Sequence, residues 1–235
     1  MADIAVDVWL WSLAVTRVEA AGLAGVLSAD ERARAERFLS RRDGDGFIAG
    51  RAGLRHILST YTSLPAAMLR FGSGASGKPF LECVDAPHFN LSHSGDLAAL
   101  AVCVDHPVGI DIETIRPIKE EIAERFFSPE EARALSALPA AEQMAGFFRC
   151  WTRKEAVVKA RGGGLNIPLD TFTVSVKDTR EPPMLHVDGA SPEEAQCWKL
   201  FDFEPAAGLA GAVAVKAGHS DVRLSVNFRE KTTSS

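Results

Sequence analysis

Hydrophobic and polar positions along this chain follow two periods, and the order in which those periods appear repeats once. Residues 28–40, SADERARAERFLS, and residues 128–138, SPEEARALSAL, each open on a serine followed three positions later by a glutamate. Ser28 with Glu31 and Ser128 with Glu131 have the spacing of a helix capping box, and Pro129 stands at a first helical position. Each is followed by a stretch with apolar residues at intervals of three and four, GFIAGRAGLRHILSTY at 46–61 and GFFRCWTRKEAVVKARG at 146–162, which predicts a second helix. Strand-like runs come next: RFGS, KPFLE, HFNLSH and LAALAVCV in the first half, TFTVSV, QCWKLFDF and LAGAVAVKA in the second. The repetition predicts an α+β chain of two similar α/β lobes in a pseudo-twofold arrangement, residues 1–106 and 107–235, joined near Asp105–Val108. A cleft between equivalent lobes is a common place for a ligand. The opening MADIAVDVWLWSLAV has acids where a signal peptide has basic residues and reads as a first strand, while the tail EKTTSS reads as frayed.

Between the lobes the segment PVGIDIETI, 107–115, puts two acids on a short apolar strand. Side chains alternate in a strand, so Asp111 and Glu113 share a face about 7 Å apart and repel unless a cation or a donor lies between them. An isolated D-x-E more often marks an edge strand with a solvated acidic face. In WTRKEAVVKA, 151–160, Trp151, Glu155 and Lys159 recur every four residues and line one helix face. Glu155 and Lys159 alone would make an ordinary surface ion pair. Trp151 on the same face implies partial burial, where an unmatched acid is costly and a metal would satisfy it. Gly162, Gly163 and Gly164 then read as a helix C-cap and turn. GSGASGKPFLE, 72–82, is a glycine-rich turn that lets backbone amides approach a ligand, and FNLSHSG, 89–95, carries Ser92 and His93 to where a strand meets a turn. No Walker-type loop and no nucleophile elbow is present.

Composition narrows the classes. The 235 residues are 46% hydrophobic and 24% charged, which is ordinary globular usage for one large or two small domains. Cys83, Cys103, Cys150 and Cys197 stand far apart, which argues against a zinc site or disulfide framework and points to the cytoplasm. LAALAVCV is far short of the ~20 residues of a membrane span. A net charge of −5 gives no global attraction to nucleic acid. Arg32, Arg34, Arg37, Arg41, Arg42, Arg51 and Arg55 nonetheless make one region basic. That suits a phosphorylated small molecule or an acidic protein surface, although a pair of solvated helices gives the same pattern.

The ordered set GKP, FNLSHSG, VGIDIE and FFRCWTRKEAVVKARGGGL resembles the 4′-phosphopantetheinyl transferases, in particular the longer, two-lobed type that acts on secondary-metabolite carrier proteins. The resemblance runs from about Ser28 to Phe203. It implies transfer of phosphopantetheine from coenzyme A to a serine of apo acyl or peptidyl carrier proteins of fatty-acid, polyketide or nonribosomal peptide assembly. Magnesium, with manganese as an alternative, is the implied cofactor and adenosine 3′,5′-bisphosphate the released product. It further implies Asp111, Glu113 and Glu155 as metal ligands, Glu155 and Lys159 as catalytic residues, and Lys159 with Asp111 as contacts to coenzyme A. Asn90, Ser92 and His93 align with a phosphate-binding turn. Ser73, Gly77 and Lys78 align with an adenosine-binding segment, and Arg34 with a contact to the 3′-phosphate. Glu31 departs from the pattern where some relatives are basic, which leaves Arg32 or Arg37 as the substitute. The implied enzyme is a cytoplasmic monomer without nucleic-acid or membrane partners.

Overall fold

The computed structural model describes residues 3–118, 121–163, 167–181, 183–189, 191–218 and 222–230. Gly164 and residues 231–235 of the tail lie outside them. The first lobe runs β1 (Asp3–Ser12), α1 (Arg17–Leu23), α2 (Ala29–Glu36), α3 (Arg41–Ser59), β2 (Phe71–Ser73), β3 (Pro79–Leu81), β4 (His88–Ser94) and β5 (Leu97–Cys103). The second runs β6 (Val108–Thr114), α4 (Glu121–Phe126), α5 (Pro129–Ser136), α6 (Ala140–Arg161), β7 (Phe172–Val174), β8 (Met184–Val187), α7 (Pro192–Gln196), β9 (Trp198–Phe203) and β10 (Leu209–Lys216). In the first lobe β5 pairs antiparallel with both β1 and β4; in the second, β10 pairs antiparallel with both β6 and β9. Each lobe is therefore an opening strand, helices, a small hairpin, and a closing hairpin whose second strand inserts beside the opening one. This is the two-lobed α+β architecture that the repeated pattern predicts.

The last strand, β11 (Arg223–Glu230), has no counterpart in that repeat. It returns to the first lobe and pairs parallel with β1, making the sheet β11-β1-β5-β4. The alternation Leu224, Val226, Phe228 is its sequence signal, and Asn227 and Arg229 both donate to Asp7 on β1. The strand runs named from the sequence stop before it.

Both capping boxes form, and both of their glutamates do a second job. Glu31 accepts the Ser28 amide at 2.9 Å and also takes Arg55 at 2.7 Å and Arg51, both from α3. Glu131 accepts the Ser128 amide at 2.8 Å, the Lys154 ammonium at 2.7 Å and the Val174 amide at 2.7 Å, and the Glu131 and Lys154 side chains are fully buried. Buried charges persist only when paired and hydrogen-bonded, and Lys154 completes its shell on the Phe172 carbonyl at 2.6 Å. The lysine of the W-x-x-K-E sequence thus bolts α6 to α5 and β7, one residue away from Glu155.

Ile110 and Ile112 of β6 join Val6, Val8, Ala99, Ala101, Val213 and Val215 in a core that lies between the two sheets. The opposite face of β6 lies on α6, and Gly109 is what allows the approach. A Cβ there would overlap the Ala156 carbonyl oxygen and come within 2.5 Å of the Ala160 amide nitrogen, both of them backbone atoms that cannot rotate away. Gly109→Ala is expected to cost more than the ~1–3 kcal/mol of ordinary overpacking, read as a lowered urea midpoint at unchanged slope. A wild-type midpoint would mean that β6 and α6 do not touch here.

Candidate active site

Because Ile110 and Ile112 point into the core, Asp111 and Glu113 point the other way, toward α6. There the four-residue spacing of Trp151, Glu155 and Lys159 meets them. These five residues, with Leu91, Ser92 and His93, line a pocket of ≈ 380 Å³. Lys159 Nζ donates to Asp111 Oδ1 at 2.6 Å and lies 3.2 Å from Ser92 Oγ, which itself donates to Asp111 Oδ1 at 3.0 Å. Glu113 is held from the solvent side by Arg116 at 3.1 Å. Trp151 packs against Phe126, Phe127 and Phe147, so the aromatic face that the sequence associates with burial is real.

A much larger cleft of ≈ 1220 Å³ adjoins this pocket, and Leu91 and His93 belong to the walls of both. Its lining includes Arg34, Arg37, Arg42, Arg70, Phe47 and Phe71, along with Ser73 and Gly77 of the glycine-rich turn. The arginine cluster divides. Arg51 and Arg55 are committed to Glu31 and stack over Phe71, and Arg32 donates to the Leu27 carbonyl. Arg34 lies over the Phe47 ring at 5.2 Å and makes no ion pair among the described residues, and Arg37 is likewise without one.

Asn90, Ser92 and Lys78 have partners inside the protein. Asn90 Oδ1 accepts the Ile110 amide at 2.8 Å, Ser92 Oγ the Ile112 amide at 3.3 Å, and Ser94 Oγ the Thr114 amide at 2.9 Å. Lys78 donates to the carbonyls of Val108 at 2.9 Å and Lys159 at 2.7 Å and is not part of either pocket wall. Sequence reasoning did not find Ser94, Thr114 or Arg116. The alternate polar positions 90, 92 and 94 were the available signal for the first two.

Two carboxyls in the small pocket are held above the usual range. Burial is the main cause for Asp111, opposed by Lys159; for Glu155 it is burial and then the charge of Asp111. Asp111 Oδ2 is buried without a hydrogen-bond partner among the described residues. As they stand, no three His, Cys, Asp or Glu side chains among those residues are gathered closely enough to hold a metal ion. The donor set still fits a hard cation: three carboxylates line one pocket, one of their oxygens is orphaned, and two of the acids ionise with difficulty.

Comparison with known proteins agrees with the two-lobed fold. A family model described as "4'-phosphopantetheinyl transferase, N-terminal" matches residues 12–105, and one described as "4'-phosphopantetheinyl transferase superfamily" matches residues 107–214. The 4'-phosphopantetheinyl transferase HetI of Nostoc sp. is 38% identical over 89% of this chain and 87% of its own. The 4'-phosphopantetheinyl transferase psf-1 of Bacillus pumilus is 40% identical over 74% of each chain. Sfp of Bacillus subtilis is 34% identical over 83% of this chain and 84% of its own. The fold is that of a two-lobed α+β protein, and the matching family models and relatives make its class that of a transferase. The chain belongs to the 4′-phosphopantetheinyl transferase superfamily and is an enzyme of that class. No helix among the described residues is long and apolar enough to cross a membrane.

The raised carboxyls fix the sign of a pH effect. A carboxyl whose folded pKa exceeds its unfolded value favours folding while protonated, and that contribution is lost as pH rises through the folded pKa. At neutral pH, above the unfolded pKa, the raised pKa of Glu155 therefore weighs against the fold. Without added divalent cation, Glu155→Gln should melt higher than wild type at pH 7, and the difference should shrink to nothing below about pH 4, under the unfolded pKa. Melting curves from about pH 3 to 8 check this; a variant that melts lower at pH 7 would contradict the burial of Glu155.

Proposed function

We propose that this enzyme transfers the 4′-phosphopantetheine group of coenzyme A to a serine hydroxyl of apo acyl and peptidyl carrier proteins, releasing adenosine 3′,5′-bisphosphate, in a reaction that requires magnesium or manganese. The observation that carries the reading is the continuity of an acidic pocket containing Lys159 with an arginine-lined cleft, joined at Leu91 and His93. A pyrophosphate needs cationic groups along its length and a proton acceptor at one end, and the two cavities supply these in order.

In this reading residues 1–106 bind the adenosine and 3′-phosphate end, and residues 107–235 hold the metal and the chemistry. Arg34 meets the 3′-phosphate. Arg37 is the second cation there in preference to Arg32, because Arg37 lines the cleft and Arg32 does not. Ser73 and Gly77, which line the large cleft, border the adenosine, whereas Lys78, outside both walls, acts on the site from behind, and His93, at the junction of the cavities, meets the phosphates with Ser92 behind it. Asp111, Glu113 and Glu155 are the residues that would hold the metal, which when bound offsets negative charge on the pyrophosphate oxygens. Lys159, already aimed into the pocket by Asp111, gives a second positive charge to a phosphate. Asn90 acts on the phosphate site through β6. The carrier serine oxygen attacks the phosphorus that bears pantetheine, the bond to the bridging oxygen breaks, and the serine proton passes to Glu155 directly or through water. We further propose polyketide and nonribosomal peptide carriers as the partners. The enzyme is read as a cytoplasmic monomer with no nucleic-acid or membrane partner.

Intact-mass analysis of a panel of apo-carriers incubated with enzyme, coenzyme A and magnesium should show at least one gaining phosphopantetheine. No gain on any carrier from folded enzyme would count against the reading. In the same assay Glu155→Gln should lower turnover by ~10²-fold or more. Arg34→Ala should weaken coenzyme A more than dephospho-coenzyme A, and equal losses for the two would remove Arg34 from the 3′-phosphate.

A further inference from the structure

The C-terminal turn of α6 carries Lys159 and is held by the opposite lobe. The last carbonyls of a helix lack the amide four residues on; here those of Lys159, which also accepts the Gly162 amide at 3.3 Å, and of Gly162 are met from the turn between β2 and β3. Lys78 Nζ donates to the Lys159 carbonyl at 2.7 Å, and Ser76 Oγ donates to the Gly162 carbonyl. The same Lys78 nitrogen reaches the Val108 carbonyl at 2.9 Å, where β6 begins. One ammonium group therefore pins the glycine-rich turn, the start of the strand that bears Asp111, and the end of the helix that bears Glu155 and Lys159.

The surroundings fit a cap. Gly162 closes α6 in the left-handed region at φ +71°, and its amide is shared between the Val158 carbonyl at 3.1 Å and the Lys159 carbonyl at 3.3 Å, the acceptor that Lys78 also holds. The stem of Lys78 runs beside that turn, its Cδ 3.5 Å from where a Cβ on Gly162 would lie. A cation at a helix C-terminus complements the helix dipole. Burial pushes Lys78 down to about 8, so at pH 7 it is still mostly the ammonium form. Ser73 and Gly77 of the same turn line the large cleft, while Lys159 lines the small pocket, so the contact joins the walls of the two cavities.

We propose that Lys78 is a positioning residue, which caps the catalytic helix from the other lobe and thereby fixes the turn from which Lys159 reaches Asp111. This rests on the transferase reading of Lys159 but gives Lys78 a task other than contact with the coenzyme. Removing its charge and donors should loosen the helix end and slow the chemical step, with little effect on coenzyme A affinity.

The test compares Lys78→Met, which keeps the stem, with Lys78→Arg, which keeps a cation and donors, in the whole chain. Three quantities are measured: coenzyme A affinity by calorimetry, kcat at saturating coenzyme A with an apo-carrier, and amide exchange over residues 157–163. For Lys78→Met we expect affinity within about threefold of wild type, kcat down about tenfold or more, and Gly162 exchange faster by about tenfold, with Lys78→Arg recovering part of both losses. Ser76→Ala, which removes only the neighbouring hydroxyl contact, should raise Gly162 exchange to a smaller degree and serves if Lys78→Met does not fold. Wild-type exchange at Gly162 in Lys78→Met, or in Ser76→Ala should Lys78→Met not fold, overturns the proposal. So does a large loss of coenzyme A affinity with kcat and exchange unchanged, since that is the behaviour of a direct ligand contact. Exchange does not depend on turnover. If the wild-type enzyme modified no carrier, the transferase reading would fall while the capping role would still be decided.

Discussion

Strand β6 has β10 on one edge and, on the other, no backbone ladder but a row of side chains. Alternate amides of a strand face opposite edges, and those of Ile110, Ile112 and Thr114 are taken by Asn90, Ser92 and Ser94 of β4. A side chain reaches beyond its own backbone, so the two strands stand farther apart than the about 4.8 Å of a ladder and belong to different sheets. That seam is what the site depends on. It joins the lobes in register without merging their sheets, keeps Ile110 and Ile112 in the shared core, and leaves the other face of β6 to present Asp111 and Glu113 to α6. Gly109 sets how close α6 comes, and with it how far Lys159 must reach.

The site bears the electrostatic cost of this geometry. Asp111 is buried, shares only one of its two oxygens with Lys159 and Ser92, and stands near two further acids. Such a cluster weakens a fold and is retained where a charged ligand completes it. The buried pairs of Glu131 with Lys154 and of Glu31 with Arg55 differ in kind. Their hydrogen bonds are complete, each ties a capping box to the following helix, and neither faces an acidic pocket. Two neighbours in one sequence, Lys154 and Glu155, thus belong to different systems, the first holding the helix and the second lining the acidic pocket.

Much of this was legible in the sequence because it depends on local periodicity. The capping boxes, the paired helices and the strand runs that become the closing hairpins follow from spacing alone, and the shared face of Trp151, Glu155 and Lys159 follows from a period of four. What was not legible depends on distant partners. Nothing near Arg223 says that β11 returns to β1, since its alternation fits any half-buried edge. Gly109 reads as one more glycine until the backbone of α6 is seen against it. Asn90 and Lys78 lie in segments that resemble ligand-binding motifs, and only the fold reveals that Asn90 faces the Ile110 amide and Lys78 two carbonyls of the other lobe.

The seam is tested most directly by amide exchange on β6. In the wild-type protein the Ile110 amide, whose acceptor is the Asn90 side chain, should exchange as slowly as the core amides around it. In Asn90→Ala that amide should lose protection while α3 keeps its own, global stability should fall by about 1–3 kcal/mol for the donor left buried and unpaired, and carrier modification should slow. Full protection of Ile110 in Asn90→Ala, with wild-type turnover, would contradict the account that side chains of one lobe hold the strand of the other that bears Asp111 and Glu113.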